Sequence, residues 1–415
     1  KSIISLKGVS VDLLEALFEQ DIWENVIDKG ADKTIPLSVL RKWCHVDKRL
    51  ELLNKIIAGE YNIKPPTLAR IPKDNGKYRE IYVNTADDRV VLAAVNQALY
   101  KLFDYKLSPA CKAYREGHSC AKTVQEAVKH KMFGYKLDLS KYFDSVPHEV
   151  INKALAELDT DSPLEQVLYK YYNDDTVYQN HQLIPRFKSL AQGCAVASFL
   201  ANYILTDVDN RMMQECLYYC RYSDDMLLLC EDQQSADKAL AVLKQMLDKL
   251  GLSLNPDKVE AISPLAEFKF LGFGILGDTI TISQKDFKQK KAEVKHACRV
   301  VETNRKISKD KKLRAAIKAV QKVFFSTADP SYGWLHSKAM GINNFERIGE
   351  LDAYCKDCIR AAVTSSQNYT HNIHTISNEQ LSLAGYVSLV HMAKLVQIDK
   401  SLYETEHLLH IQQHK

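Results

Sequence analysis

The chain has 415 residues, 46% hydrophobic and 26% charged, which is enough apolar material for two or three packed globular domains. This composition excludes a disordered chain, and no apolar run approaches the 18 or so residues of a membrane span. We therefore expect a cytoplasmic protein with no membrane partner. The net charge of +4 hides a basic segment, because residues 285–322 hold fourteen lysines or arginines and four acids. The segment favours a polyanionic partner, with a merely solvated helical surface as the alternative.

Helical periodicity runs through residues 1 to about 60, which predicts a helical N-terminal region. From Lys64 to Val83, two short segments flank the turn-forming letters KDNG and predict a β-hairpin. This hairpin carries three basic residues, Lys73, Lys77 and Arg79. Strand-like and helix-like pieces then alternate as far as Ile282, which indicates an α+β fold with helices packed on one face of a sheet. Beyond Ile282 the pattern is almost entirely helical.

Two adjacent acids interrupt the apolar segment YCRYSDDMLLLC. The pattern predicts a hairpin with strands at Tyr218–Tyr222 and Met226–Cys230, so that Ser223 to Asp225 form the turn and the carboxylates are exposed. Two acids about 4 Å apart repel by ~1 kcal/mol in water and by more near a protein surface. A bound divalent cation would reverse that sign, whereas an isolated SDD turn is usually just a polar turn.

A second acid lies at the end of another predicted strand. In GYKLDLSKYFDSVPHE, Asp138 ends a strand-like run before a helix that begins near Pro147. Acids at two strand ends of one sheet can converge, and Mg²⁺ prefers a few carboxylates together with substrate phosphates. Two such ions stabilise the attacking and leaving oxygens of a phosphoryl displacement, a task that suits Asp138, Asp224 and Asp225.

These segments form an ordered set that resembles the palm motifs of reverse transcriptases. The palm motifs are KLDLSKYFDSVPH, AQGCAVASFLANYILTDVD, YCRYSDDMLLL, GLSLNPDKVE and FKFLGFGI. Upstream, RIPKDNGKYREIYV, DDRVV and AYREGHS resemble the fingers motifs of the bacterial group II intron type. The resemblance covers roughly residues 60 to 280, and the ordered set is far more specific than a lone Tyr-x-Asp-Asp.

The resemblance implies a right-hand polymerase with an α/β sandwich palm. The expected domains are a helical N-terminal region at 1–60, fingers at 61–134, a palm at 135–280 with interleaved fingers helices near 150–190, and a helical thumb and C-terminal region at 281–415. The implied activity is RNA-directed DNA synthesis. Its implied cofactor is a pair of Mg²⁺ ions, with Mn²⁺ as a substitute, and its implied partners are dNTPs, an RNA template and the cDNA/RNA duplex.

The resemblance also implies a role for each matching residue. Asp138, Asp224 and the Leu139 carbonyl would hold the metals, Asp225 would complete the acidic cluster, and Lys258 would protonate the leaving pyrophosphate. The remaining roles are triphosphate binding by Lys73 and Arg79, a sugar gate at Phe143, a template and nucleotide contact at Gln192 and Gly193, and a primer grip at Phe270, Leu271 and Gly272. Taken singly, Phe143 would be a core aromatic and the lysines surface cations.

Departures from the usual motifs indicate which subgroup of reverse transcriptases the chain resembles. Group II relatives usually read QGxxxSPLLAN, whereas Ala197 and Ser198 replace the Ser-Pro pair here. The retron VTG and the Ser-Gln of diversity-generating enzymes are also missing, and we expect no endonuclease, integrase or ribonuclease H domain. The chain is most similar to the bacterial "unknown group" enzymes of antiphage defence, in particular those that copy an adjacent structured non-coding RNA. Template-independent DNA synthesis and a maturase-like RNA-binding protein with vestigial polymerase activity are the alternatives.

The ten cysteines are scattered, which favours reduced core residues over a disulfide framework. Cys355 and Cys358, with His371 and His374, approach the spacing of a zinc site. The histidine pair is one residue tighter than usual, however, and LDAYCKDCIRAAV has the pattern of a continuous helix. Two core-facing cysteines on a helix are therefore favoured over a zinc site.

Overall fold

A computed structural model of the chain describes residues 13–28, 34–72, 76, 78–130, 133–158, 162–304, 307–326 and 329–413. Its helices are α1 (Leu13–Ala16), α2 (Gln20–Asp28), α3 (Leu37–Cys44), α4 (Val46–Ile57), α5 (Ala86–Phe103), α6 (Cys120–Ala127), α7 (Tyr142–Ser145), α8 (His148–Leu158), α9 (Pro163–Asn173), α10 (Ala197–Tyr203), α11 (Thr206–Glu215), α12 (Gln233–Lys249), α13 (Gln284–Thr303), α14 (Lys309–Gln321), α15 (Trp334–Ala339), α16 (Glu346–Thr364), α17 (Tyr369–Thr375), α18 (Asn378–Leu383), α19 (Leu389–Ile398) and α20 (Lys400–Gln413). Its strands are β1 (Thr67–Pro72), β2 (Tyr78–Val83), β3 (Phe133–Asp138), β4 (Thr176–Gln179), β5 (Gln182–Pro185), β6 (Tyr218–Tyr222), β7 (Asp225–Cys230), β8 (Glu260–Ile262), β9 (Phe268–Phe270), β10 (Phe273–Leu276) and β11 (Thr279–Ile282).

The chain divides into two structural units. Unit 1 comprises Lys1–His118 and Phe133–Ala261, and unit 2 comprises Ser119–Met132 and Ile262–Lys415. Unit 1 therefore holds both predicted acidic sites, and unit 2 holds the basic segment. Within the described ranges, no helix is long and apolar enough to cross a membrane.

The start of unit 1 is helical over its described residues, as its periodicity predicts. Helices α3 and α4 each bury one apolar stripe; in α4 this stripe includes Leu52, Leu53 and Ile56. Two tryptophans from neighbouring helices, Trp23 and Trp43, stack with ring centroids 5.4 Å apart. The stripes and the stacked rings join these helices to the core of unit 1.

A four-stranded sheet in unit 1 has the order β2-β1-β4-β5. The predicted hairpin of β1 and β2 is confirmed, with Thr67 opposite Val83 and Pro72 opposite Tyr78. The hairpin of β4 and β5 was not predicted, because only helices were expected near residues 150–190. These strands have four residues each, too short for a clear alternation, and their turn uses left-handed conformations at Asn180 and His181.

The second sheet of unit 1 has the order β6-β7-β3-β8. Strand β7 lies in the middle, antiparallel to both β6 and β3, and its five residues from Met226 to Cys230 are buried. Helices α11 and α12 pack against this sheet. One helix was expected over AVASFLANYILTDVDNRMM, but the structure has two, since α10 ends at Tyr203 and α11 begins at Thr206. The α+β class is confirmed.

Unit 2 contains a three-stranded antiparallel sheet, β11-β10-β9, and then helices α13 to α20, as the helical pattern beyond Ile282 predicts. The continuous helix predicted around the two clustered cysteines is confirmed as α16, in which Cys355 is buried and Cys358 half-buried. His371 and His374 lie on α17. Helix α13 buries Phe287, Val294 and Cys298, and Lys285, Lys288 and Lys295 are exposed on its other side, whereas Lys290 and Lys291 are half-buried.

Candidate active site

The β6-β7-β3-β8 sheet of unit 1 brings together the predicted acids of the two motifs. Asp138 ends β3, and Asp225 begins β7 directly opposite it in the antiparallel register. The backbone N–H of Leu139 donates to the Asp224 carbonyl at 3.2 Å, which ties the residue after Asp138 to the hairpin turn. Three carboxyl groups from two distant segments of the sequence therefore lie at adjacent backbone positions.

The hairpin turn is one residue shorter than predicted. Tyr222 pairs with Asp225, so Ser223 and Asp224 alone form the turn and Asp225 already belongs to β7. Ser223 adopts a left-handed conformation with φ of 61°, which a two-residue hairpin turn requires. The expectation that Asp225 lies in an exposed turn was wrong, because the strand pairing continues to this residue and leaves it half-buried.

Burial and mutual repulsion raise the pKa of the acids on the hairpin. Burial, followed by the charges of Asp224 and Asp138, raises the pKa of Asp225 to about 6. Burial and the charge of Asp138 also raise the pKa of Asp224. The exposed Lys258 offsets part of this repulsion, since its Nζ donates to Asp138 Oδ2 at 2.6 Å. When its three carboxyl groups are ionised, the cluster therefore carries more negative charge than Lys258 alone can neutralise.

The donor chemistry of this cluster fits a hard divalent cation. Asp138 and Asp224 supply carboxylate oxygens, and Leu139, which follows Asp138 and donates its N–H to the Asp224 carbonyl, can add a backbone carbonyl. Within the described ranges, no group of three or more His, Cys, Asp or Glu side chains is arranged to hold a metal ion. Mg²⁺ is usually held by one or two carboxylates together with waters and substrate phosphates.

The predicted template and nucleotide loop lies against β2. The Gln192 carbonyl accepts a hydrogen bond from the Tyr82 N–H at 2.8 Å. Gly193 has φ of 109°, and a Cβ there would lie 2.9 Å from the Tyr82 carbonyl oxygen, so only glycine permits this approach. Arg79 is exposed on the same strand. Lys73 and Lys77 lie outside the described residues.

The predicted sugar gate, Phe143, is half-buried on α7 and packs against the core of unit 1. Its ring meets that of Tyr142 edge to face, with centroids 5.7 Å apart. Tyr142 is itself buried and donates from its hydroxyl to the Ala201 carbonyl at 2.7 Å. The neighbouring tyrosine therefore fixes the position of the Phe143 ring.

The predicted primer grip forms a tight hairpin in unit 2. Phe270 is buried at the end of β9, and Leu271 and Gly272 form the turn with φ of 48° and 81°. The Lys338 ammonium donates to the Gly272 carbonyl at 2.9 Å and pairs with Asp286, also at 2.9 Å. The positive φ at Gly272 favours glycine, because residues with a Cβ rarely adopt this conformation.

Sequence reasoning missed a buried ion pair beside the acids, between Arg221 on β6 and Asp209 on α11. The available signal was an arginine in the otherwise apolar strand YYCRY, directly before the two acids. A charge at such a position requires a buried partner.

Residues 71–275 match the family model described as "Reverse transcriptase (RNA-dependent DNA polymerase)". The chain carries a reverse transcriptase domain. The matched range contains Asp138, Asp224 and Asp225 and ends just after the predicted primer grip. The description of this family agrees with the resemblance of the motifs to those of reverse transcriptases.

Curated relatives share this domain at low identity. A Saccharomyces cerevisiae protein named for intron 1 of COX1/OXI3 is 29% identical over 170 residues, covering 39% of this chain and 20% of its own length. Protein YkfC of Escherichia coli is 24% identical over 272 residues, covering 54% of this chain and 70% of its own. This chain thus spans about a fifth of the length of the yeast protein.

Among solved structures, the apo telomerase of Candida tropicalis matches over 97% of this chain and 86% of its own, at 12% identity. The TM-score of this match is 0.44. A TM-score this low supports no inference about the function of the reverse transcriptase domain.

Proposed function

We propose that the protein is an RNA-directed DNA polymerase that extends a primer with dNTPs by nucleotidyl transfer. The observation that carries the proposal is the pairing of Asp138 with Asp225, one residue from Asp224, inside the reverse transcriptase domain. A protein that only bound RNA would gain nothing from three converging acids beside a polyanion, since like charges repel.

In the proposed reaction the primer 3′ hydroxyl attacks the α-phosphorus of the dNTP, and pyrophosphate leaves. Asp138, Asp224 and the Leu139 carbonyl would hold divalent ions, Mg²⁺ or Mn²⁺, which stabilise the developing charge on the attacking and leaving oxygens. Asp225 is the third acid of the cluster, and its pairing with Asp138 across the strands keeps it close to the other two carboxylates. The protein itself holds the acids together by pairing the end of β3, at Asp138, with the start of β7, at Asp225.

Lys258 is the proposed donor of a proton to the leaving pyrophosphate. Its Nζ contacts Asp138 Oδ2 at 2.6 Å, and the side chain is 55% exposed, so it reaches both the acidic cluster and solvent. An ammonium in this position can pass its proton to a phosphate oxygen as the bond breaks.

The fingers hairpin and the neighbouring loop would bind the nucleotide. Arg79 is an exposed cation on β2. Gly193, which has no side chain, lets the backbone of its loop lie close to the same strand. Arginine suits bidentate contact with a triphosphate, and we assign Lys73 a matching role. Phe143, fixed by Tyr142, would exclude the 2′ hydroxyl of a ribonucleotide, and Gln192 would contact the template or incoming base.

Unit 2 would bind the cDNA/RNA duplex. Helix α13 buries its apolar side and exposes Lys285, Lys288, Lys295 and Arg299. Cations spaced along one helix bind phosphates without reading sequence. The turn at Phe270, Leu271 and Gly272 is the proposed primer grip.

We further propose that the template is one dedicated structured non-coding RNA and that the cDNA serves in bacterial antiphage defence. The resemblance to the unknown-group enzymes supports this, as do the helices that flank the matched domain on both sides. A second candidate is a maturase-like RNA-binding protein, which is favoured by the similarity to a yeast protein named for an intron.

Co-purified nucleic acid separates the two candidates. The protein would be isolated from infected and uninfected cells, and its RNA and DNA sequenced before and after ribonuclease treatment. One dominant structured RNA, with cDNA complementary to it, supports the dedicated template. Mixed cellular RNA without cDNA supports the maturase-like candidate, and DNA unrelated to any bound RNA indicates template-independent synthesis.

A further inference from the structure

Arg221 and Asp209 form an ion pair in the interior of unit 1. Both side chains are fully buried, with 0% exposure. Arg221 Nε donates to Asp209 Oδ1 at 2.8 Å and Nη2 donates to Oδ2 at 2.6 Å, a bidentate arrangement. The Tyr219 hydroxyl donates to Asp209 Oδ1 at 3.0 Å. The Asp209 carboxylate is therefore saturated by partners that the fold supplies.

The other donors of Arg221 reach two backbone carbonyls. Nη1 donates to the Ser223 carbonyl at 3.0 Å, and Nη2 donates to the Asn202 carbonyl at 3.1 Å. Asn202 is fully buried on α10, and its amide donates to the Ala113 carbonyl at 2.8 Å. One guanidinium thus links α10, α11 and the turn of the β6–β7 hairpin.

The contact with Ser223 bears directly on the acidic cluster. The Ser223 carbonyl belongs to the peptide group that leads into Asp224, and Ser223 holds a left-handed conformation with φ of 61°. At the peptide group that follows Asp224, the Leu139 N–H donates to the Asp224 carbonyl at 3.2 Å. The backbone of Asp224 is therefore held on one side by Arg221 and on the other by Leu139.

Stability alone is a weak reason to bury this pair. Removing two charges from water costs several kcal/mol for each ion, and apolar replacements of similar volume are often neutral or stabilising. An apolar residue at position 221 could not donate to the Ser223 carbonyl. The geometry of the turn is what the arginine provides and a hydrophobic residue cannot.

We infer that Arg221, held by Asp209, is a positioning residue that orients the Ser223–Asp224 turn so that the Asp224 carboxylate can bind a divalent cation. This inference rests on the proposed function only for the role of Asp224 as a metal ligand. Residues that orient metal ligands typically alter metal affinity by roughly 10- to 100-fold when they are replaced.

The test is direct Mn²⁺ binding, measured by the electron paramagnetic resonance signal of the free ion, for the wild type and Arg221→Lys. Lysine keeps the charge next to Asp209 but lacks the fork that reaches Ser223 and Asn202 together. We expect roughly 10- to 100-fold weaker Mn²⁺ binding, and a matching increase in the Mg²⁺ needed for primer extension. RNA binding should stay unchanged.

Asp352→Asn is the matched control, because Asp352 is a buried acid of unit 2 that accepts from the Leu389 N–H at 2.6 Å and the Tyr386 hydroxyl at 3.0 Å. This variant should lose stability and keep wild-type Mn²⁺ affinity. Where Arg221→Lys does not fold, Asp209→Asn keeps the volume and removes the charge that holds Arg221, so weaker Mn²⁺ binding is expected there as well.

Wild-type Mn²⁺ affinity in a folded Arg221→Lys or Asp209→Asn protein would overturn the inference. Equal losses of affinity in these variants and in Asp352→Asn would also overturn it, since they would reflect general destabilisation. A wild type that binds Mn²⁺ but makes no cDNA would refute the proposed polymerase while leaving the positioning role measurable. The two failures are therefore distinguishable.

Discussion

Replacing Asp225 with asparagine should stabilise the metal-free protein at alkaline pH. Burial and the neighbouring acids raise the pKa of Asp225 from its ordinary value of 3.8 to about 6. The folded protein thus binds this proton more tightly than the unfolded chain, so the stability that Asp225 contributes is fully present below pH 3.8 and is lost as the pH rises through about 6. A shift of about two pKa units corresponds to about 3 kcal/mol.

Asparagine at position 225 cannot ionise, so the variant does not lose stability as the pH rises through the pKa of Asp225. We expect its free energy of unfolding at pH 8 to exceed that of the wild type by up to about 3 kcal/mol, and the difference to shrink toward zero near pH 4. Millimolar Mg²⁺ at pH 8 should stabilise the wild type more than the variant and narrow the difference, because the cation neutralises the same repulsion.

Urea unfolding at several pH values measures this effect. Trp23 and Trp43 lie in unit 1 and report on it, and a Trp334→Phe background removes the tryptophan of unit 2. Asp257→Asn serves as the control, because Asp257 is exposed and its replacement should give no pH-dependent gain. A variant no more stable than the wild type at pH 8, or equally more stable at pH 4 and pH 8, would refute the assigned electrostatics.

Three further variants test the proposed substrate contacts in primer extension. Phe143→Ala should improve ribonucleotide incorporation relative to deoxynucleotides by about tenfold, a change of ~1.4 kcal/mol, and unchanged discrimination would place the gate elsewhere. Arg79→Ala should raise the KM for dNTPs by roughly tenfold or more, as expected for a lost charge-assisted hydrogen bond of about 1.5–3 kcal/mol, with kcat changed less. Lys258→Ala should lower kcat by about 10²-fold, whereas Asp257→Asn should leave kcat intact.

The acids at the strand ends were predictable because the motif and the strand pattern agree. Asp138 ends a strand-like run, and the apolar residues after Asp225 indicate a buried strand. The turn was misplaced by one residue, since hydrogen-bond pairing rather than polarity decides where β7 begins. The pairing extends to Asp225 although the residue opposite it, Asp138, is also an acid, an arrangement that destabilises a strand pair.

Other features depend on contacts that the local sequence does not encode. The hairpin of β4 and β5 is stabilised by pairing with β1, through Thr67 and Tyr178, which lie more than a hundred residues apart. The pairing of Arg221 with Asp209 likewise requires α11 to pack against β6. The sequence signals an unusual charge at Arg221, but only the tertiary fold identifies its partner.

The most direct test of the central claim is extension of a primer on an RNA template with dNTPs and Mg²⁺, comparing the wild type with Asp138→Asn and Asp224→Asn. We predict a metal-dependent cDNA ladder from the wild type, and no ladder from either variant despite unchanged RNA binding. Asp257→Asn should extend the primer like the wild type. Extension by Asp138→Asn or Asp224→Asn at the wild-type rate would contradict the assignment of the acidic cluster of Asp138, Asp224 and Asp225 as the polymerase active site.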